Sequence, residues 1–152
     1  MKKLIAVGNR FMTDDGIAIA VTEHMRDSME ELGYDVTICE TDFRSCFFSL
    51  KEDDFIIILD ALYTNDTPGS IKIYELSDVL SAPSCGGTQH DMSLIDIMRL
   101  YNRDYKGYLI GIEVADVCYG EEISPVLSRK FSNICSAIED LLSKINTLIK
   151  VE

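Results

Sequence analysis

Basic residues are scarce in this chain. Lys and Arg number 14 against 26 Asp and Glu, which gives a formal net charge of −12. Nucleic acid and anionic membrane surfaces both select a basic footprint, so neither is an expected partner. No apolar stretch approaches the roughly 20 residues that span a bilayer. The opening MKKLIAVGNR is too short for a signal peptide, because Asn9 and Arg10 break the apolar run, and it reads better as a first strand. No CxxC pair occurs. The five cysteines, Cys39, Cys46, Cys85, Cys118 and Cys135, are odd in number and widely spaced. That pattern predicts reduced thiols, mostly buried as small apolar side chains, and a cytoplasmic protein.

Several catalytic and cofactor signatures are also missing. Gly8-Asn9 is followed by no Gly-Lys-Ser/Thr, so it is not a phosphate loop, and GxGxxG is absent. GxSxG and HExxH do not occur either, which argues against a serine hydrolase of the elbow type and a helical zinc peptidase. No repeat, low-complexity tract or linker interrupts the chain. Its 152 residues suit one domain, residues 1–152, with 47% hydrophobic and 26% charged residues as in ordinary globular proteins.

What is there alternates between two periods. Lys3–Val7, Tyr34–Cys39, Phe55–Leu59, Ser70–Leu76 and Gly107–Val114 read as strands, and Asp60 reads as the stop of the most apolar one. Helical spacing runs from Asp15 to about Leu32, with Gly33 as its C-terminal cap, and from Pro125 to about Leu148. Shorter helices are expected at Phe43–Leu50 and from Asp91 to about Tyr101. Pro68-Gly69 marks a turn, and residues 77–89 read as loop. The alternation predicts an α/β fold: a single-domain three-layer sandwich, with a twisted, mostly parallel sheet of about five strands and helices on both faces.

In such sheets ligands collect at the C-terminal strand ends. Three polar segments fall there or in neighbouring loops: Gly8–Gly16, Asp60-Ala61 and Gly86–Asp91. The fold therefore tends to gather Asp14 or Asp15, Asp60 and His90. Two carboxylates and an imidazole suit a borderline divalent ion such as nickel or zinc, and three protein ligands leave coordination positions open. Plainer uses compete. Asp14 or Asp15 can cap the helix that follows, a carboxylate at a buried strand end can be satisfied locally, and a loop histidine is commonly solvated. His24 lies inside the first helix and reads as a packed or surface residue without a role. Cys85 stands five residues before His90, but nothing evident would orient the imidazole or lower the thiol pKa.

The motifs also carry a resemblance. Gly8-Asn9 is followed by Thr13-Asp14-Asp15-Gly16-Ile17. Phe55-Ile-Ile-Ile-Leu-Asp60-Ala61 precedes Pro68-Gly69. His90-Asp91-Met92-Ser93-Leu94 opens a helix, Ile110-Gly111-Ile112-Glu113 lies in a late strand, and Gly120-Glu-Glu-Ile-Ser124-Pro125-Val126 leads into the last helix. Together and in this order, over nearly the whole chain, they resemble the hydrogenase maturation endopeptidases. The resemblance implies an enzyme that removes a C-terminal extension from the precursor of a nickel–iron hydrogenase large subunit after nickel insertion. It implies that substrate-borne nickel is a recognition element, and that the free enzyme is metal-free or holds a surrogate divalent ion. By motif, the ligands and catalytic groups it implies are Asp15, Asp60 and His90, with Asp15 preferred to Asp14 as the second acid of the pair. Many relatives have a glycine-rich segment after the second strand, whereas Glu40-Thr-Asp-Phe-Arg-Ser45 has no glycine. That segment, through Asp42, is a candidate substrate-facing loop. Two alternatives stand beside this reading: a non-enzymatic metal-binding or assembly module for a metalloprotein precursor, and a peptidase of the same fold with another substrate.

Overall fold

The computed structural model describes residues 1–40, 42–82, 94–101 and 103–151. Five strands form one sheet: β1 (Lys2–Val7), β2 (Tyr34–Cys39), β3 (Phe55–Leu62), β4 (Ile71–Glu75) and β5 (Lys106–Glu113). Their order is β2-β1-β3-β5-β4, with the first four parallel and β4 antiparallel at one edge. The helices are α1 (Ile17–Glu31), α2 (Phe43–Phe48), α3 (Leu76–Ser81), α4 (Leu94–Tyr101) and α5 (Pro125–Val151), with a 3-10 turn at Thr13–Gly16.

Strand side chains alternate between the two faces, and the core divides accordingly. Leu4, Ala6, Ile57, Leu59, Ile110 and Ile112 pack with α1 and α5. Ile5, Val7, Ile56 and Ile58 pack with Phe47 of α2, Leu76 of α3, and Leu94, Ile97 and Met98 of α4. The three-layer α/β sandwich expected from the alternation is therefore the observed fold. The central strands read as unbroken apolar runs because both of their faces are covered.

The structure differs from the sequence reading in four places. β3 does not stop at Asp60. It runs on to Leu62, because β5 stays in register beside it, with Asp60 opposite Gly111 and Leu62 opposite Glu113. A Cβ at Gly111 would lie 2.3 Å from the Leu62 side chain, so a larger residue there would have to displace that side chain. The helix expected from Asp15 starts at Ile17, after the 3-10 turn. Residues 76–81 form α3, where loop was expected from 77 on. Finally, Cys39 and Cys46 are not free thiols. Their Cα atoms are 6.3 Å apart and their sulfurs are joined, within disulfide range for that separation. Cys135 is free and buried, and Cys118 is free but exposed.

Two turns behave as read. Gly33 follows α1 with a φ of 93°, the left-handed cap position. In the Pro68-Gly69 turn, Gly69 has a φ of 86° and the Ser70 N–H donates to the Thr67 carbonyl at 3.1 Å. That is the geometry of a turn with proline first and glycine second. Among the described residues no helix is long and apolar enough to cross a membrane.

Candidate metal-reading site

The strand order fixes where a site can form. From β1 the chain moves to β2 on one side, then crosses to β3 on the other, so the order reverses between β1 and β3. Crevices open at the C-terminal ends of strands where the order reverses. The loop after β1 carries Asp14 and Asp15, and Asp60 stands near the C-terminal end of β3.

Close backbone packing shapes that loop. A Cβ on Gly8 would lie 2.3 Å from the Asp15 carbonyl oxygen, so the chain can pass there only as glycine. Thr13 sits at a φ of 42°, a costly region for a β-branched residue. Three hydrogen bonds hold it: its N–H donates to the Gly120 carbonyl at 2.9 Å, its hydroxyl to the Asp116 carbonyl at 2.9 Å, and the Cys118 N–H donates to its hydroxyl at 3.0 Å.

The two acids have different tasks. Asp14 is fully buried. Its Oδ2 accepts from the N–H groups of Ala115 and Asp116, both at 2.9 Å, and its Oδ1 accepts from the Ser124 N–H at 2.6 Å. It clasps the 115–124 loop to the loop after β1 and is committed to that structure. Asp14→Ala leaves three buried or half-buried donors without their acceptor, so we expect a loss of about 3 kcal/mol in urea unfolding. Asp14→Asn, which keeps an acceptor, should lose less. Equal stability of the alanine variant and the parent would refute the clasp.

Asp15 is also buried, but it accepts differently. The Asn9 N–H donates to Oδ2 at 3.0 Å, and the Tyr63 hydroxyl donates to Oδ1. Asp60 accepts from the Ala61 N–H at 2.8 Å. Burial pushes the Asp60 carboxyl up to about 7; the Ala61 hydrogen bond opposes the shift and the charge of Asp15 adds to it. The same three acids, Asp14, Asp15 and Asp60, raise the Tyr63 phenol, after burial and its hydrogen bond to Asp15. The structure thus brings Asp15 and Asp60 into mutual electrostatic reach. His90 lies outside the described residues, four positions before α4. Among the described residues no three His, Cys, Asp or Glu side chains converge on a metal position. The pair nevertheless fits a cation as a donor set, since a divalent ion would offset the burial cost that now raises Asp60.

Other candidates resolve plainly. Asp42 caps α2: its Oδ1 accepts from the Ser45 N–H at 3.1 Å and its Oδ2 from the Ser45 hydroxyl at 2.6 Å, which lowers its pKa. Glu40 instead pairs with Arg10 of the loop after β1, and Arg10 also lies 3.5 Å from Glu23. His24 is exposed, with its ring edge-on to Phe131 at 5.5 Å. Cys85 lies outside the described residues.

Sequence reasoning missed Tyr63 and Glu113. Glu113 is buried at the end of β5, where both of its oxygens accept from the Thr64 N–H, at 3.2 and 3.0 Å. A carboxylate at the end of an apolar strand is the sequence signal for Glu113, as it is for Asp60.

A sequence model of the hydrogenase maturation protease family, HycI, matches residues 18–145, a span that holds Asp60 and His90 and begins three positions after Asp15. No protein of curated function matches the chain by sequence. Among solved structures, the chain is similar to the hydrogenase maturating endopeptidase HybD from E. coli, with 19% identity, a TM-score of 0.72, and coverage of 95% of this chain and 93% of that one. It is also similar to the [NiFe] hydrogenase maturation protease HycI from Thermococcus kodakarensis KOD1, with 18% identity, a TM-score of 0.69, and 93% and 92% coverage. For the HybD protease of Thermococcus kodakarensis the values are 24%, 0.66, 93% and 99%. At these identities the structural likeness speaks for the fold, and the family match speaks for the kind of enzyme. The chain belongs to the hydrogenase maturation protease family and is an endopeptidase of hydrogenase maturation.

Proposed function

We propose that this endopeptidase removes a C-terminal extension from the precursor of a nickel–iron hydrogenase large subunit, after nickel has been inserted. In this reading Asp15, Asp60 and His90 meet the nickel carried by the substrate and so fix the scissile bond beside them. The observation that carries it is the juxtaposition of Asp15 and Asp60, two carboxylates brought together from the loop after β1 and the C-terminal end of β3, with Asp60 pushed up to about 7 by burial. A carboxyl group poised near neutrality takes a proton from an attacking water more readily than an ordinary aspartate does. That property supports an aspartic-type role for the pair. Nickel on the substrate supplies the usual metal chemistry, polarising a carbonyl or acidifying a water. The chain's own contribution is to hold Asp15 by the Asn9 N–H and Asp60 by the Ala61 N–H, so that both carboxylates are placed before substrate arrives.

The partner is then the precursor protein, and its maturation would take place in the cytoplasm. Membership of a protease family sets aside the non-enzymatic docking module. The deciding experiment incubates the protein with nickel-loaded and nickel-free precursor and measures intact masses. Loss of a C-terminal peptide from the nickel-loaded form alone is the expected result. Equal cleavage of both forms would remove nickel as the recognition element, and cleavage of neither would refute the substrate.

A further inference from the structure

Tyr63 directly follows β3, and its phenol reaches back to the loop after β1. Its O–H donates to Oδ1 of Asp15, while the Asn9 N–H donates to Oδ2 at 3.0 Å. A carboxylate held through one oxygen can still swing about its Cβ–Cγ bond. Held through both, by donors from different segments, it has one orientation.

The phenol is itself aimed. On one side of Tyr63, the Leu62 carbonyl accepts from the Val114 N–H at 3.1 Å. On the other side, the Thr64 N–H is shared by both oxygens of Glu113, at 3.2 and 3.0 Å, and the Thr64 hydroxyl also donates to Glu113. Glu113 is 1% exposed and sits at the end of β5. The backbone that carries Tyr63 is therefore fixed on both flanks to the sheet. Tyr63 as a residue is 45% exposed. A tyrosine placed for core packing would be inside, so the hydroxyl contact, rather than ring burial, accounts for its place.

We propose that Tyr63 is a positioning residue for metal recognition, holding Asp15 in the orientation in which a divalent cation meets it, with Glu113 and Thr64 as its anchor. The inference rests on the metal reading of Asp15 and Asp60 proposed above. Outer donors of this kind orient ligands directly bound to a metal, and their loss typically weakens metal binding by about 10–100-fold.

The test uses Ni²⁺ alone as the probe, titrated calorimetrically into the metal-free full chain. Wild type, Tyr63→Phe, Asp15→Asn and the double variant are compared, each checked for an unchanged circular dichroism spectrum and unfolding midpoint. Tyr63→Phe keeps the ring and removes only the donor. It should weaken Ni²⁺ by about tenfold or more, and the double variant should bind no more weakly than Asp15→Asn, because Tyr63 acts through Asp15. Wild-type or tighter binding by Tyr63→Phe, with Asp15→Asn weakened, would overturn this inference while leaving the metal reading standing. Fully additive losses would overturn it too, since the phenol would then act elsewhere. Undiminished Ni²⁺ binding by Asp15→Asn would take down the metal reading and this inference with it.

Discussion

Asp15→Asn, Asp60→Asn and His90→Ala should each slow processing of the nickel-loaded precursor by at least about 10²-fold, the scale of losing a general base or a metal-held interaction. The first two substitutions are near-isosteric. Asn at position 15 keeps one acceptor oxygen, enough for either the Asn9 N–H or the Tyr63 hydroxyl, and Asn at position 60 keeps an acceptor for the Ala61 N–H. Loss of activity in a folded variant therefore reads the missing charge at position 60, and the missing charge together with one lost acceptor at position 15. Asp14→Asn is the control within the same acidic pair. Its carboxylate is spent on Ala115, Asp116 and Ser124, so its effect should show in stability before it shows in chemistry. The measurement is the rate of C-terminal peptide release by intact mass, with unfolding midpoints recorded in parallel. Undiminished cleavage by His90→Ala would sink the three-residue assignment. A larger catalytic loss at Asp14 than at Asp15, in equally stable proteins, would reverse the division of labour between the two acids.

That division shows where sequence was informative and where it was silent. The central strands were legible because buried parallel strands are apolar runs, as Phe55–Leu59 and Lys3–Val7 are, whereas the antiparallel edge strand β4 was legible through its alternation. Asp60 read as a stop because a carboxylate breaks an apolar run; the pairing with Gly111 of β5, some fifty residues on, carries the strand past it. Residues 76–81 are too few to display a helical period, so α3 had no signal of its own. Composition could not choose between Asp14 and Asp15. The choice depends on N–H donors more than a hundred residues away, and the ordered motifs supplied it only by likeness. Cys39 and Cys46, seven positions apart, match no common spacing, and the turn from β2 into α2 is what joins them. Tyr63 had no signature at all: one aromatic after a strand looks the same whether it faces solvent or reaches a neighbouring loop.

Asp60 should cost the metal-free protein stability as pH rises from about 4 to about 7, and Asp60→Asn should remove that contribution. The sign follows from proton counting. In the unfolded chain Asp60 releases its proton near the ordinary aspartate value, whereas in the folded chain burial holds the proton up to about 7. Between those values the folded state binds more protons, so stability falls with pH, and above about 7 the loss is complete. A shift of that size corresponds to at most about 4 kcal/mol, less whatever solvent screening reaches this half-buried group. Urea unfolding of wild type and Asp60→Asn between pH 4 and 8 measures it. Contributions from groups that do not interact with Asp60 are common to both proteins and cancel in the difference. The variant should gain on the wild type as pH rises, levelling off above pH 7. Saturating Ni²⁺ should shrink that advantage, because a cation at the site stabilises the ionised carboxylate that the buried position disfavours. Parallel pH curves for the two metal-free proteins would show that Asp60 is not raised, and would take away the proton-accepting role assigned to it.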